Sequence, residues 1–443
     1  MTTAGQDFIH ALDARVGEIV DACTKCGKCV EACPMIRPAG IDASDPAAVA
    51  GSIIDLLDGG PGTEAAERWA NVCTGSGYCI PACAYGINPR FMVKMAKVAA
   101  ERRNQPEPVL QRRATETFRT MTRGVRLLSR LQMEPETLAR INPKPTGRAA
   151  PERPPEVVFY TGCNILKTPH IALLCLDVLD AIDAPYEVRG GTSTCCGVFQ
   201  FNASDTDGSG RMAYNTIEQL ASAGTAEVLS WCPSCQVQVG EIALPSYQRS
   251  TGETPFELTP YLVYLERRLD DLKPLMVHPV NKRVALNERP VLPGVVQAVR
   301  RLLEAIPGIE FVDLDVPRVG TMSNILSVLP DFKQELREKE FVAAAAAGVD
   351  TLATIFHACH REICHFETGL SFEIVNFMEL LGESMGIASD DLYKRLKIMQ
   401  DVDAVIADCK DMVDLHRLDL DQLRDSLLLD MLSAQPVGIR AAE

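Results

Sequence analysis

Apolar residues recur at helical spacing through the first part of the chain. In the segment from Asp7 to Ala22 they fall on one face, which predicts an amphipathic helix leading into the first cysteine. Similar patterns predict further helices at Thr63–Val72, at Arg90–Ala99 and at Val109–Leu131. The part of the chain before residue 157 is therefore predicted to be mainly helical.

From residue 157 the pattern changes to short apolar strands that alternate with helices. The predicted strands are Val157–Tyr160, Tyr186–Val188 and Glu227–Trp231, and the predicted helices are Thr168–Ile182 and Arg211–Ala223. This alternation is typical of α/β layers. Such folds bind their ligands at the carboxyl ends of the strands, so the loops after these strands are predicted to carry the site.

The same framework returns later in the chain. Residues 283–289 align with 157–163, residues 309–320 with 186–197, and residues 351–359 with 227–235. Of the residues that matter for a site, only Gly197 and Cys235 keep their identity, as Gly320 and Cys359. We therefore predict two copies of one α/β unit, the second of them degenerate.

A Pro-rich passage from Asn142 to Pro155 marks a domain boundary, and five parts of the chain follow from these patterns. They are a helical module at 1–103, a basic helix and linker at 104–156, a first α/β unit at 157–270, a second unit at 271–390, and a helical tail at 391–443.

Two of these parts allow more than one interpretation. The helix of the linker is rich in arginine, at Arg112, Arg113, Arg119, Arg123, Arg126 and Arg130. Its basic face is either simply solvated or a docking surface for an acidic partner or for the protein's own acidic domain. The amphipathic tail either packs on the main body or binds a partner.

Composition and charge narrow the class of protein. With 443 residues and 47% hydrophobic content, the chain can bury the cores of two or three domains. A formal charge of −15 argues against nucleic acid as a partner, since phosphate needs a basic face. The N-terminal segment has no apolar core of signal-peptide length, and no apolar run is long enough to cross a bilayer. We therefore expect a cytoplasmic protein without a transmembrane segment of its own.

Twelve of the 16 cysteines cluster in metal-ligand spacings, as expected in a reducing compartment. The first run is that of bacterial ferredoxins, C-x2-C-x2-C-x3-C-P, at Cys23, Cys26, Cys29 and Cys33. The second run repeats this spacing at Cys73, Ser76, Cys79 and Cys83, with serine in place of the second cysteine. In two-cluster modules the fourth cysteine of each run binds the other cluster.

By this rule one [4Fe–4S] cluster is held by Cys23, Cys26, Cys29 and Cys83. The other is held by Cys73, Cys79 and Cys33, with Ser76 at the fourth corner. This second site is a [3Fe–4S] cluster, a [4Fe–4S] cluster with an oxygen or solvent ligand at one iron, or a lost cluster, and three thiolates in register make loss the weakest of these interpretations.

A third set of cysteines consists of Cys163, the adjacent pair Cys195 and Cys196, and the pair Cys232 and Cys235. Adjacent thiolates do not suit a small tetrahedral zinc site, because both would have to turn back onto one ion. They suit a larger iron–sulfur core in which neighbouring sulfurs hold neighbouring irons.

This five-cysteine arrangement resembles the CCG domain of heterodisulfide reductase B subunits. The N-terminal module resembles the α-helical ferredoxin domain of the C subunits and of succinate dehydrogenase iron–sulfur subunits. Residues 1–380 together resemble the fused, D-type heterodisulfide reductases, including related subunits of sulfur-oxidising bacteria. The resemblance implies an α-helical two-cluster ferredoxin domain followed by an α/β CCG domain built of two pseudo-repeats, with a non-cubane [4Fe–4S] cluster on the five cysteines.

The resemblance also implies a function. A heterodisulfide reductase-like subunit passes electrons between a flavoprotein partner, similar to the A subunit, and a thiol or disulfide, here for example a protein-bound lipoyl or persulfide group. Cys195 and Cys196 are then candidate catalytic residues. The alternative is a pure electron-transfer subunit of a flavin-dependent glycolate, lactate or glycerol-3-phosphate oxidoreductase. Because the chain lacks a Gly-x-Gly-x-x-Gly motif, the flavin is expected on a partner within a hetero-oligomer.

The second α/β unit departs from the family, whose B subunits carry two non-cubane clusters. In the alignment, Arg289 replaces Cys163, Arg318 replaces Cys195, Val319 replaces Cys196 and Phe356 replaces Cys232. The two arginines either line an anion pocket or form salt bridges in an empty site.

The segment from Phe356 to His365 has two interpretations. Cys359, His360, Cys364 and His365 form either a metal site or a reactive thiol beside histidines, which lower the pKa of a cysteine. Cys359 is the candidate catalytic thiol, because its aligned partner Cys235 faces the predicted cluster.

Overall fold

The computed structural model describes residues 3–143, 154–322 and 325–433. The middle of the predicted linker, at 144–153, and the last ten residues of the predicted tail lie outside the described residues.

The N-terminal module is helical, as predicted, and both cysteine runs begin where a helix ends. Its helices are α1 Ala4–Ala22, α2 Lys28–Glu31, α3 Pro46–Leu57, α4 Glu64–Val72 and α5 Pro89–Asn104. Cys23 is the C-cap of α1, and Cys73 is the C-cap of α4. Thr63 caps the start of α4 by accepting a hydrogen bond from the backbone N–H of Ala66. The two runs therefore enter their loops from equivalent positions.

The first α/β unit contains a four-stranded parallel sheet with the strand order β2-β1-β3-β4. Its strands are β1 Val157–Tyr160, β2 Tyr186–Arg189, β3 Glu227–Ser230 and β4 Glu257–Pro260. After helices α6 Glu107–Gln132 and α7 Pro135–Ile141 of the linker come α8 Pro169–Ala181, α9 Val198–Asn202, α10 Thr206–Ala221, α11 Pro233–Cys235, α12 Leu244–Thr251, α13 Tyr261–Arg267 and α14 Leu269–Leu272. Strands β1 to β3 begin at the predicted residues.

The second unit contains a parallel sheet with the same order, β6-β5-β7-β8. Its strands are β5 Arg283–Asn287, β6 Glu310–Val312, β7 Thr351–Thr354 and β8 Glu373–Asn376, and its helices are α15 Val295–Ala305, α16 Pro330–Ala346, α17 His357–Ile363 and α18 Phe377–Met385. Strands β5 and β7 begin at the residues aligned with the starts of β1 and β3. Strand β6 pairs one residue later than the alignment placed it, with Glu310 beside Arg283.

Helix α10 begins five residues earlier than predicted, because tertiary packing overrides the loop-like sequence Asp207-Gly-Ser-Gly210. Asp205 caps the helix, and a Cβ at Gly210 would lie 2.5 Å from the Cβ of Phe8 on α1. A Cβ at Gly5 would in turn meet the carboxylate of Asp207. The glycines thus let α1 cross close over α10, which fastens the ferredoxin module to the first α/β unit.

The tail packs on the main body through the linker helix. Helices α19 Leu392–Met399, α20 Val402–Asp408, α21 Lys410–His416 and α22 Leu420–Ser426 share an apolar cluster with Leu127, Leu128 and Leu131 of α6. Most of the arginines of α6 are exposed, with Arg123 and Arg130 half-buried. The interpretations of a packed tail and a mainly solvated basic face therefore agree with the structure. Among the described residues, no helix has the length and apolar character needed to cross a membrane.

Candidate iron–sulfur sites

The first sheet delivers the third set of cysteines to one place. Cys163 follows β1, Cys195 and Cys196 follow β2, and Cys232 and Cys235 follow β3, so all five leave the carboxyl ends of neighbouring parallel strands. All five are buried. Sites in α/β folds are expected at this edge, and the prediction of their position from the strand pattern is confirmed.

Hydrogen bonds hold the loop that carries the cysteine pair. The hydroxyl of Tyr160 donates to the carbonyl of Thr194 at 2.8 Å, and Thr216 Oγ1 donates to the carbonyl of Cys195 at 2.8 Å. Gly197 follows with φ of +79°, and a Cβ there would lie 2.7 Å from the carbonyl oxygen of Ser209. The loop is therefore fixed on both sides of the pair.

The backbone at Gly162 passes directly against the thiols of the third cysteine set. Gly162 has φ of +68°, and a Cβ on it would lie 3.0 Å from Cys235 Sγ and 3.5 Å from the Cβ of Cys232. Any side chain at this position would thus intrude on the thiols. The donor set, with an adjacent pair, is also the one that suits an iron–sulfur core better than a single ion.

The thiols themselves differ in how readily they ionise. Hydrogen bonds from Cys195 and Cys235 lower the pKa of Cys196 to about 6, and a hydrogen bond from Cys235 lowers the pKa of Cys232 to about 7. The hydrogen bond with Cys195, followed by burial, raises the pKa of Cys163. Two of the five thus ionise more readily than an ordinary cysteine, and the thiolate is the form that ligates metal.

Two cations lie close enough to this site to interact with its thiols, Lys167 with Cys163 and Arg361 with Cys232. Lys167 is buried near Cys163 and pairs with Asp430, while Arg361 Nη1 lies 3.4 Å from Asp430 Oδ1. Burial lowers the pKa of Lys167, whereas Asp430 and the Cys163 thiolate raise it. The positive charges favour an anionic group at the cysteines.

The second ferredoxin run forms one cavity with the last cysteine of the first. Cys33, Cys73, Ser76 and Cys79 line this cavity together with Trp69 and Arg90. Burial, with the neighbouring thiols of Cys73 and Cys33, raises the pKa of Cys79 to about 12. The cavity supports the crossed assignment of Cys33, which came from the spacing rule.

Three cysteines of the first run lie near one another. Burial raises the pKa of Cys29 to about 11, with further contributions from the thiols of Cys23 and Cys26. The assignment of Cys83 to this group remains a prediction.

Trp69 and Arg90 were not identified from the sequence, but they hold the cysteine loops that line the second ferredoxin cavity. Trp69 Nε1 donates to Cys33 Sγ at 3.2 Å. Arg90 is buried, donates from Nη1 to the carbonyl of Gly75 at 2.7 Å, and forms an ion pair with Glu241. A buried cation beside the cavity is one of the levers on the reduction potential of a bound cluster.

The degenerate second unit covers the Ser76 corner. A Cβ at Gly320, which has φ of +87°, would lie 2.9 Å from both the Cα and the N of Ser76. The backbone N–H of Thr321 donates to the carbonyl of Thr74 at 3.1 Å, and Thr74 Oγ1 donates to the carbonyl of Val319. The loop at 319–321 of the second unit thus covers the second ferredoxin site.

Replacing Gly320 by alanine is expected to lower the free energy of unfolding by about 2–4 kcal/mol, from backbone strain plus the clash with Ser76. EPR of the second ferredoxin site should change while the five-cysteine site stays filled. Gly348→Ala is the matched control, because Gly348 has φ of +62° and nothing within 4 Å of its Cβ position. Equal effects of the two changes in thermal melting would contradict the close contact.

Lys94 lies between the second ferredoxin site and the five-cysteine site. Burial lowers its pKa, while the thiols of Cys73 and Cys196, one from each site, raise it. The charge of Lys94 therefore interacts with cysteines of both sites.

The arginines at the lost ligand positions form salt bridges. Arg289 Nη2 lies 3.0 Å from Glu340 Oε2, and both side chains are about 95% buried, with exposures of 5% and 4%. Arg318 pairs with Glu288 and with Asp313. The structure therefore agrees with the salt-bridge interpretation of these positions.

The expectation that histidines lower the pKa of Cys359 is wrong. Burial raises the pKa of this thiol to about 11, and Arg289 is the main group that opposes the shift. His357 is kept neutral, because burial and the charge of Arg361 hold its pKa well below the usual range. Cys364 lies in the apolar cluster under the tail, so the predicted Cys–His metal site is not assembled from these four residues.

Comparisons with known proteins agree with this organisation. Residues 157–240 match the CCG cysteine-rich domain family, and residues 22–88 match the 4Fe-4S dicluster domain family. No solved structure gives a significant match.

The curated relatives are components of methanogen reductases. Over 413 residues the chain is 24% identical to the D subunit of the dihydromethanophenazine:CoB–CoM heterodisulfide reductase of Methanosarcina mazei, covering 83% of this chain and 94% of that relative. It is 24% identical to the corresponding Methanosarcina barkeri protein over 53% of this chain and 60% of that relative. It is 23% identical to the B subunit of the fumarate reductase (CoM/CoB) of Methanothermobacter marburgensis, over 81% of this chain and 71% of that relative.

These matches confirm the resemblance to the fused heterodisulfide reductase subunits, with an iron–sulfur dicluster domain before a CCG domain. The class predicted from the sequence, an iron–sulfur oxidoreductase subunit, is confirmed at that level.

Proposed function

We propose that this relative of the fused heterodisulfide reductase subunits moves electrons between a flavoprotein partner and a thiol or disulfide at the five-cysteine site. The observation that carries the proposal is the convergence of five buried cysteines, around the Gly162 cradle, at the carboxyl ends of three strands. When bound there, a non-cubane [4Fe–4S] cluster would supply one-electron chemistry at sulfur. In the net reaction, one disulfide takes up two electrons and two protons and becomes two thiols.

The remaining site residues have roles in this proposal. Cys23, Cys26, Cys29 and Cys83 would hold one ferredoxin cluster, and Cys33, Cys73 and Cys79, with Ser76, the other, of [4Fe–4S] or [3Fe–4S] type. Lys94 would provide a positive field between this second site and the five-cysteine site. Lys167 and Arg361 would offset the negative charge of the thiolates and orient an anionic sulfur.

The second sheet, in this proposal, is a degenerate CCG repeat. Its ion pairs Arg289–Glu340 and Arg318–Glu288 occupy the place of a second set of ligands. A single five-cysteine site can hold one sulfur at a time, which suits a carrier-bound lipoyl or persulfide group better than a two-site reduction. Cys359 as a further catalytic thiol stays a prediction that Cys359→Ala would test.

The proposed setting is a cytoplasmic hetero-oligomer. The domain boundaries at 103, 156, 270 and 390 are proposed with it, the first α/β unit being the one that reacts. The partners would be a flavoprotein that donates or accepts electrons and a protein that carries the thiol.

Turnover with an artificial donor tests this function. Anaerobically purified chain is supplied with reduced viologen in place of the flavoprotein and with lipoamide as the disulfide. We expect oxidation of viologen that depends on the disulfide and is lost in Cys195→Ser. If the chain takes electrons from viologen but passes none to any small disulfide or lipoyl protein, the electron-relay alternative replaces this proposal.

A further inference from the structure

Four buried or nearly buried side chains from separate segments converge where the first α/β unit meets the second. His170 lies on α8, His360 on α17 and Glu379 on α18, and Asp391 caps α19. Each offers a ligand atom, and these atoms all lie within 4.8 Å of one another. The group is distinct from the cysteine sites, and no motif in the sequence joins its members.

The spacing of the atoms fits one small ion. The four ligand atoms, one from each residue, lie within 4.8 Å of one another. His170 Nδ1 and His360 Nε2 approach Asp391 to 3.3 Å and 2.6 Å, at different oxygens of its carboxylate. Ligands placed tetrahedrally at about 2.0–2.1 Å from a zinc ion are about 3.3 Å apart. The observed separations reach 4.8 Å, so side-chain rotations would draw the four atoms together and complete the shell.

In the part of the chain that the structure describes, three of the four ring nitrogens of the two histidines lack a hydrogen bond of good geometry, although both nitrogens of His170 face carboxylate oxygens at 3.3 and 3.7 Å. Both histidines are buried, with exposures of 1% for the His170 side chain and 0% for that of His360. Within the described residues, neither ring nitrogen of His170 and not the Nδ1 of His360 makes a hydrogen bond. Buried polar nitrogens of this kind are costly unless something occupies them.

The charges also match a divalent ion. Asp391 is nearly buried, with a side-chain exposure of 5%, and Glu379 is partly exposed at 21%. The nearby Lys394 is paired with Glu367. Two carboxylates and two neutral imidazoles around a dication give no net charge, which offsets the cost of burying the carboxylates.

We propose that His170, His360, Glu379 and Asp391 bind one zinc ion. Imidazole and carboxylate donors suit zinc, and four protein ligands close the tetrahedral shell, as in structural rather than catalytic sites. The ion would tie α8, which begins six residues after Cys163, to α17, α18 and the first helix of the tail. It would thereby hold the two α/β units together beside the five-cysteine site.

Metal analysis with zinc-edge X-ray absorption on the full chain tests the proposal. The protein is purified anaerobically with its iron intact, and zinc and iron are measured on the same sample. We expect about one zinc per chain, with nitrogen and oxygen at about 2.0–2.1 Å and no sulfur at about 2.3 Å. A sulfur shell would mean that zinc has entered a cysteine site instead, and it would overturn the proposal.

Variants locate the ion. His360→Ala should lose this zinc while iron is retained, and Asp391→Asn should lose it as well, with the helix cap kept because asparagine caps helices as well as aspartate does. His365→Ala is the control, since His365 lies in the same segment but stacks on Phe366. Zinc absent from the wild type, or retained in both ligand variants, would leave a metal-free histidine–carboxylate network and refute the site.

Discussion

Cys196→Ser is expected to lose about four iron atoms per chain, from about twelve to about eight, or from eleven to seven if the Ser76 site holds three irons. Cys196 lies in the adjacent pair, and hydrogen bonds from two neighbouring thiols favour its thiolate form. Serine keeps the size of the side chain but is a poor ligand for iron at neutral pH. Disulfide-dependent oxidation of viologen should fall to background, because the site that meets sulfur is lost.

Cys175→Ala is the matched control for this change. Cys175 is buried in α8 outside the three cysteine sets, and it should cost only the packing of one thiol. Iron and sulfide analysis, with EPR of the reduced ferredoxin sites, measures both variants. Full iron in Cys196→Ser, or an equal loss in Cys175→Ala, would contradict the five-cysteine assignment.

Glu340→Gln is expected to lower the free energy of unfolding by about 3–5 kcal/mol, because it leaves the charge of Arg289 buried without its partner. Burial opposes the charge of Arg289, and Glu340 is the main group that raises its pKa. The amide can still accept the hydrogen bond from Asn287, so the change removes mainly the charge. Anaerobic denaturant titration or thermal melting measures the effect.

Glu335→Gln on the same helix provides the comparison. Glu335 pairs with Lys339 at 2.6 Å, but both side chains are 55% exposed, so its loss should cost less than about 0.5 kcal/mol. If Glu340→Gln has an effect as small as this, another anion must neutralise Arg289. That result would favour the interpretation of Arg289 and Arg318 as the lining of an anion pocket.

The cysteine sites were predictable because their signals are local. Ligand spacing within one loop, as in Cys23 to Cys33, is a property of adjacent residues, and the apolar strands before Cys163 and Cys232 fix where those loops lie. The crossed position of Cys33 followed from the same spacing. The salt bridges of Arg289 and Arg318 were foreseen only as one of two alternatives, because their partners come from elsewhere in the sequence.

What the sequence did not predict depends on contacts between distant segments. The early start of α10 results from Gly210 fitting under Phe8, where packing outweighs the low helix propensity of glycine. Strands β4 and β8 lie at the edges of their sheets, and Pro260 ends the first of them, which weakens its strand pattern. No local pattern in the sequence indicates that Gly320 packs against Ser76. None indicates that His170 contacts Asp391 either.

The most direct measurement is EPR spectroscopy of the oxidised, anaerobically purified chain during titration with a dithiol and then with its disulfide. We expect a signal that arises only with the thiol, broadens when the protein carries a magnetic isotope of iron, and is missing in Cys196→Ser. A fully iron-loaded chain whose spectrum is the same with and without thiols would contradict it and make this protein an electron relay.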